Sequence, residues 1–156
     1  MSALAAMEKT ETSNVRELLT VTIGGQLFGI PILQVQDVLG TQKITRIPLA
    51  PKEVAGALNL RGRIVTAIDM RACLGMEPRG PAGKSMGVVI EYQGELFSLM
   101  IDRAGDVMHL PYSAYEKNPS TLDPQWRAMC QGIYRLKDKL LVVLDIPRLL
   151  EGLQTP

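Results

Sequence analysis

The chain is written twice. Residues 19–38 align without gaps on residues 88–107 at an offset of 69, which pairs Val21 with Ile90, Gly25 with Gly94, Leu27 with Leu96, Phe28 with Phe97, Ile32 with Ile101 and Asp37 with Asp106. Further along, the offset becomes 76 and pairs Gly56 with Gly132, Leu60 with Leu136, Asp69 with Asp145 and Leu74 with Leu150. Self-similarity of this kind means that one supersecondary unit has been duplicated, so the fold must hold two related halves. The later offset places the extra length of the second copy between His109 and Met129, where Pro111, Asn118-Pro119 and Asp123-Pro124 mark a looping excursion.

Each copy reads as β structure. In Leu19-Thr20-Val21-Thr22-Ile23 apolar residues alternate with threonines, as a half-buried strand requires, and Gly24-Gly25 supplies the positive-φ residues of a tight turn before residues 27–30 return. Residues 35–39, 55–60 and 63–68 make three more short strands, the last two reversed through Arg61-Gly62, which puts Arg61 on an exposed hairpin tip. Asp69 then reads as the N-cap of a short helix through 70–74, with Gly75 as its left-handed C-cap, and 145–152 repeats this punctuation, with Pro147 in the first turn. Five short strands per copy suit two small packed barrels, because closure removes sheet edges. A unit of this size has a marginal core by itself, so the copies are expected to share one. The predicted organisation is a tail at 1–17, a duplicated domain at 18–152 (first repeat about 18–75, linker 76–85, second repeat about 86–152) and a tail at 153–156.

Composition excludes more than it proposes. A hydrophobic content of 46% supports a packed core, and a formal charge of +1 is too balanced for bulk attraction to nucleic acid or to an anionic membrane. Cys73 and Cys130 lie far apart and the single His109 completes no familiar zinc spacing with them, so both read as buried thiols and no metal or cofactor is expected. Residues 1–14 lack the continuous apolar stretch of a secretory signal or a membrane span, which points to a cytoplasmic protein without direct membrane insertion.

At Asn59-Leu60-Arg61-Gly62, followed by Ile64-Val65-Thr66-Ala67-Ile68-Asp69-Met70-Arg71, the chain closely resembles the CheW family motif N-L-R-G and its apolar strand ending in D-L-R. Phe28-Gly29-Ile30-Pro31-Ile32, Val35-Gln36-Asp37-Val38 and Ile44-Thr45-Arg46-Ile47-Pro48 are similar to the family's opening segment in order and spacing, so the resemblance spans about 18–150. It implies a mainly β fold of two packed five-stranded SH3-like β-barrels with short helices. It also implies a non-catalytic adaptor that joins chemoreceptor signalling tips to the regulatory domain of a CheA-type histidine kinase. The competing reading, a small barrel that binds nucleic acid, would need a basic groove with stacking aromatics, and only one Trp, four Tyr and two Phe are available.

The receptor-binding candidates are Val35, Asp37, Gly56, Asn59, Arg61 and Gly62; no kinase-contact residue is assigned. Arg61 can offer a preorganised guanidinium fork to carboxylates or carbonyls of a docked helix, against its ordinary reading as a solvated turn arginine. Val35 and Asp37, two apart on a strand, share a face and present an apolar contact beside an acceptor; the family often has Glu where this chain has Asp37. Gly56 permits close backbone approach, Asn59 serves either as a cap on the turn or as a partner contact, and Gly62 serves turn geometry. Ile30, Ile64, Val65 and Ile68 are core by default. Trp126 is read as an anchor for the long excursion. Gly83-Lys84-Ser85 is not a phosphate loop, since Pro78 stands where the first glycine belongs.

Overall fold

The computed structural model describes residues 14–79, 84–117 and 122–154. The predicted tail up to residue 13, Gly80, Pro81 and Gly83 of the linker, Asn118-Pro119 and the last two residues lie outside the described residues. In chain order the strands are β1 (Val15–Ile23), β2 (Gln26–Pro31), β3 (Val35–Leu39), β4 (Val54–Leu60), β5 (Arg63–Asp69), β6 (Met86–Tyr92), β7 (Glu95–Ile101), β8 (Arg103–Pro111), β9 (Tyr115–Lys117), β10 (Cys130–Arg135) and β11 (Leu140–Leu144). Among the described residues three short α-helices accompany them: α1 (Met70–Cys73), α2 (Pro124–Arg127) and α3 (Ile146–Gln154). The fold is mainly β, as predicted. A six-stranded sheet runs β8-β1-β2-β11-β10-β9, and a five-stranded sheet runs β3-β6-β7-β5-β4.

The duplication survives in the geometry, but a copy in the sequence is not a sheet in space. The β1–β2 hairpin of the first copy lies between β8 and β11 of the second, and the β6–β7 hairpin of the second copy lies between β3 and β5 of the first. The 3-10 turn Ile32–Gln34 carries the chain from one sheet to the other, so β2 never pairs with β3. Instead β2 runs parallel to β11, with Phe28 opposite Val142, and β7 runs parallel to β5, with Phe97 opposite Thr66. Irregularities repeat too. The ladder slips between Val35 and Asp37 in β3, and at the matching place in β8, where Val21 pairs with Ala104 but Leu19 with Val107. A second pair of slips falls between Val54 and Gly56 and between Cys130 and Gly132. The extra strand β9 has a first-copy counterpart of one bridge, Thr45 to Ala57.

Burial on both faces explains why the central strands read as unbroken apolar runs. Along β11, Leu141 and Val143 join Leu18 and Tyr134 in a small cluster of the six-stranded sheet, while Val142 and Leu144 point into a large shared core. Along β5 and β7, Val65, Ala67 and Leu96 form the small cluster of the five-stranded sheet, while Ile68, Phe97 and Leu99 enter the shared core. The shared core draws on both copies, as the size argument predicts; fully burying a side chain such as Phe28 or Leu99 stabilises by about 1.5–3 kcal/mol.

The helix punctuation follows the sequence reading in the first copy. Asp69 accepts from the backbone N–H groups of Arg71 and Ala72 at 3.0 and 3.3 Å. The helix ends with Met76 N–H donating to the Arg71 carbonyl, Gly75 N–H donating to the Ala72 carbonyl, and Gly75 at φ 69°. In the second copy Asp145 accepts from Arg148 N–H at 3.1 Å, but α3 does not stop at Gly152; it continues to Gln154. Ile146, Leu149, Leu150 and Leu153 form one stripe against the shared core, and that packing carries the helix past the glycine. No helix of the described residues is long and apolar enough to cross a membrane.

Trp126 anchors the excursion to the core: its Nε1 donates to the Leu74 carbonyl at 2.9 Å, and its ring lies 5.4 Å from that of Phe28. Cys73 and Cys130 are both buried, and burial pushes the pKa of each thiol up to about 12. His109 faces Glu17 across the β1–β8 pair at 3.2 Å and is exposed.

Candidate functional site

Arg61-Gly62 forms the two-residue tip between β4 and β5, with φ of 52° and 86°. Positive φ at both central positions is the type I′ pattern, whose twist matches that of the flanking strands, and it is repeated at Gly24-Gly25 and Gln93-Gly94. The second-copy positions that match Arg61-Gly62 are Lys137-Asp138, and neither has a positive φ. This tip is therefore a local feature of the first copy. Asn59 Oδ1 accepts from Gly62 N–H at 2.8 Å, so of its two readings the cap is realised, while the residue itself stays exposed.

The guanidinium of Arg61 lies 3.4 Å from Asp37 Oδ2, with side chains 79% and 32% exposed respectively. An ion pair this open is worth at most about 1 kcal/mol, so it sets orientation more than stability. Its placement matters more: Asp37 is on β3 and Arg61 tips the β4–β5 hairpin, elements from opposite ends of the strand order, so the pair bridges the two edges of the five-stranded sheet. Asp37 Oδ1 also accepts from Val38 N–H at 2.8 Å. A shallow groove of about 160 Å³ runs beside the pair, lined by Gln36, Leu60, Arg63, Val89 and Leu96 as well.

Three expectations about individual residues change. Val35 and Asp37 do not share a face. The slip between them sets Val35 opposite Ile90 and Asp37 opposite Val89, and those two neighbours on β6 point to opposite sides. Val35 is therefore half-buried against the shared core, and Asp37 turns toward the groove. Gly56 is buried beneath the bridged segment: an added Cβ would lie 2.2 Å from the Thr45 carbonyl oxygen. Close backbone approach is its role, and the approaching backbone is the chain's own. Gly132 repeats the device, with 2.3 Å to the Glu116 carbonyl oxygen.

Ile64, expected in the core, is 68% exposed. It pairs with Asn59 and has the same parity as Ile68, but lies toward the hairpin tip, beyond the end of the shared core. An exposed apolar side chain thus stands beside the Asn59–Arg61 tip. Position relative to the hairpin turn was the signal that could have found it. Among the described residues, no three His, Cys, Asp or Glu side chains come together to hold a metal.

The arrangement is a rigid, exposed, mixed polar and apolar surface where the Asp37–Arg61 pair joins the two edges of the five-stranded sheet, suited to gripping another protein. Comparisons with known proteins point the same way. The chain is 28% identical over 153 residues to the chemotaxis protein CheW of Klebsiella aerogenes, covering 97% of this chain and 92% of that one. It is 26% identical over 134 residues to a probable chemotaxis protein CheW of Rhizobium etli, covering 86% of each. The crystal structure of the scaffolding protein TtCheW from Thermoanaerobacter tengcongensis superposes with a TM-score of 0.74 at 27% identity, covering 83% of this chain and 88% of that one. The model of the CheW-like domain matches residues 17–154, so the chain belongs to the CheW-like domain family.

Proposed function

We propose that this chain is a chemotaxis coupling scaffold, a non-catalytic adaptor that joins chemoreceptor signalling tips to the regulatory domain of a CheA-type histidine kinase. It works in the cytoplasm, recruited to membrane receptor arrays by its partners. The receptor surface comprises Arg61, Asp37 and Asn59, with Val35 at its inner margin; Gly62 sets the turn and Gly56 seats the neighbouring segment. The supporting observation is the Arg61 guanidinium, held on a left-handed turn, 79% exposed and already oriented by Asp37, within a family match over 17–154.

A receptor tip is a helical hairpin, and helices offer carboxylates on their surface and unpaired carbonyls at their ends. A planar guanidinium can take either through two parallel N–H donors. Because Asp37 and the turn fix the side chain beforehand, little rotamer entropy is lost on docking. Exchange of the fork for a carboxylate reverses the sign of the contact and leaves Asp37 facing a like charge. In co-sedimentation with receptor signalling domains and kinase, Arg61→Glu is expected to lower receptor association by more than about tenfold, on the order of 1.4 kcal/mol, and to abolish kinase stimulation, with an unchanged circular dichroism spectrum. Wild-type assembly by this variant would remove Arg61 from the surface.

A further inference from the structure

Where α1 of the first copy meets α2 and α3 of the second, a cavity of about 240 Å³ opens to the surface. Among the residues lining it, Cys73 and Leu149 are buried and Met129 and Leu153 half-buried, so its interior is apolar. Two charged residues line it as well: Glu53, in the segment entering β4, and Arg148, in the first turn of α3. Neither has an ion-pair partner among the described residues, and the two lie too far apart to pair with each other. Burial pushes the Cys73 thiol up and the Glu53 carboxylate adds to the shift, so that charge is felt inside the cavity. At Cys130 burial again raises the pKa, and the Arg148 guanidinium opposes it. Arg148 spends Nη1 on the Cys130 carbonyl at 3.4 Å and keeps further N–H donors for a ligand.

The walls are set before any ligand arrives. Gln125 Nε2 donates to the Cys73 carbonyl and Trp126 Nε1 to the Leu74 carbonyl, each at 2.9 Å, which pins α2 to the end of α1. The volume is below the roughly 300–1,000 Å³ of sites for drug-sized ligands, so the occupant is a small molecule. A guanidinium in the lining disfavours a simple cation, and a carboxylate disfavours a simple anion. A wholly apolar molecule would draw both charges away from water without pairing either. One carboxylate is too few for a divalent cation, which takes several oxygen ligands. A zwitterion with an apolar body meets every group.

We propose that this cavity binds apolar α-amino acids, with the ligand carboxylate on Arg148, its ammonium on Glu53 and its side chain against Met129, Leu149 and Leu153. Glu53 belongs to the first copy and Arg148 to the second, so the ligand ties the copies together and stabilises the folded chain by mass action. Arg61 and Asp37 take no part, so the proposal stands or falls separately from the adaptor reading.

The test titrates the full chain with L-leucine, L-methionine and L-phenylalanine, with the single tryptophan, Trp126, as a fluorescence reporter and the thermal midpoint as a second readout. Expected are saturable binding with a Kd below about 10 mM and a midpoint that rises with ligand concentration. N-acetyl-L-leucine lacks the ammonium and L-leucinamide the carboxylate, and each is expected to bind at least about tenfold more weakly than L-leucine. Glu53→Gln is expected to weaken L-leucine by a similar factor while leaving N-acetyl-L-leucine unchanged. Arg148→Gln is expected to weaken L-leucine likewise while leaving L-leucinamide unchanged. This crossed pattern separates lost ligand contacts from damage to the fold, and the ligand series on the wild-type chain needs no variant at all. Absence of a saturable response to all three amino acids overturns the proposal. So does equal affinity for L-leucine and its N-acetyl or amide derivative, which marks a cavity indifferent to charge, or wild-type affinity for L-leucine in either variant.

Discussion

Single residues in this fold divide by whether a side chain is forbidden or merely strained. Gly56 and Gly132 are forbidden positions, because the carbonyls of Thr45 and Glu116 occupy the space of a Cβ. Alanine at either is expected to destabilise by about 2–4 kcal/mol, read as a lower urea midpoint, since backbone on a paired edge cannot move aside cheaply. Gly152, helical and with nothing near its Cβ position, serves as the contrast: alanine there is expected to stabilise by up to about 1 kcal/mol. Arg61 is merely strained. Asparagine tolerates the left-handed turn better, so Arg61→Asn is expected to raise stability by about 0.5–1 kcal/mol in thermal melts while weakening receptor binding. A variant that lost both stability and binding would show that the side chain supports the fold rather than a partner.

Between elements, the strongest polar tie is centred on Asp102, at the crossing from β7 to β8. Its carboxylate accepts from Arg71 Nε and Nη2 at 3.0 and 2.7 Å, from Arg79 Nη2 at 2.7 Å and from the Gly24 backbone N–H at 2.8 Å. Helix α1, the start of the linker and the β1–β2 hairpin tip are thereby fastened to the second copy. Burial works to raise the Asp102 pKa, but the hydrogen bonds from Arg71, Gly24 and Arg79 outweigh it and hold the carboxyl well below the usual carboxylate range. The folded-state value is depressed, so the tie contributes fully above the unfolded-state value and is lost as pH falls below the ordinary carboxylate range. Asp102→Asn is therefore expected to cost about 2–3 kcal/mol in urea denaturation at pH 7, with the gap to wild type narrowing steadily as the buffer is taken below pH 4. A pH-independent gap would mean that packing, not charge, holds the crossing. Arg71 was legible only as part of a family-like stretch; that it reaches Asp102, 31 residues away in the chain, follows from the crossover and not from any local pattern.

At the scale of the molecule, exchanged hairpins and a common core bind the copies into one cooperative unit. Fragments 14–79 and 84–154 are expected to be unfolded alone by circular dichroism and to regain structure on mixing, because each sheet draws strands from both. Cooperative melting of either fragment by itself would contradict this. The sequence by itself determined the duplication, the strand positions, the tight turns and the capped first helix, because all of these rest on contacts between near neighbours or on the residue types that a turn demands. It placed Arg61 on an exposed tip for the same reason. Only the tertiary structure decided which strands share a sheet, that a slip in β3 turns Val35 and Asp37 to opposite sides, that Gly56 lies under Thr45, and that Ile64 overhangs the core. Those outcomes depend on which distant segments meet. A strand with both faces apolar carries no mark of which neighbour will cover each one, so the choice is made by packing the whole chain at once.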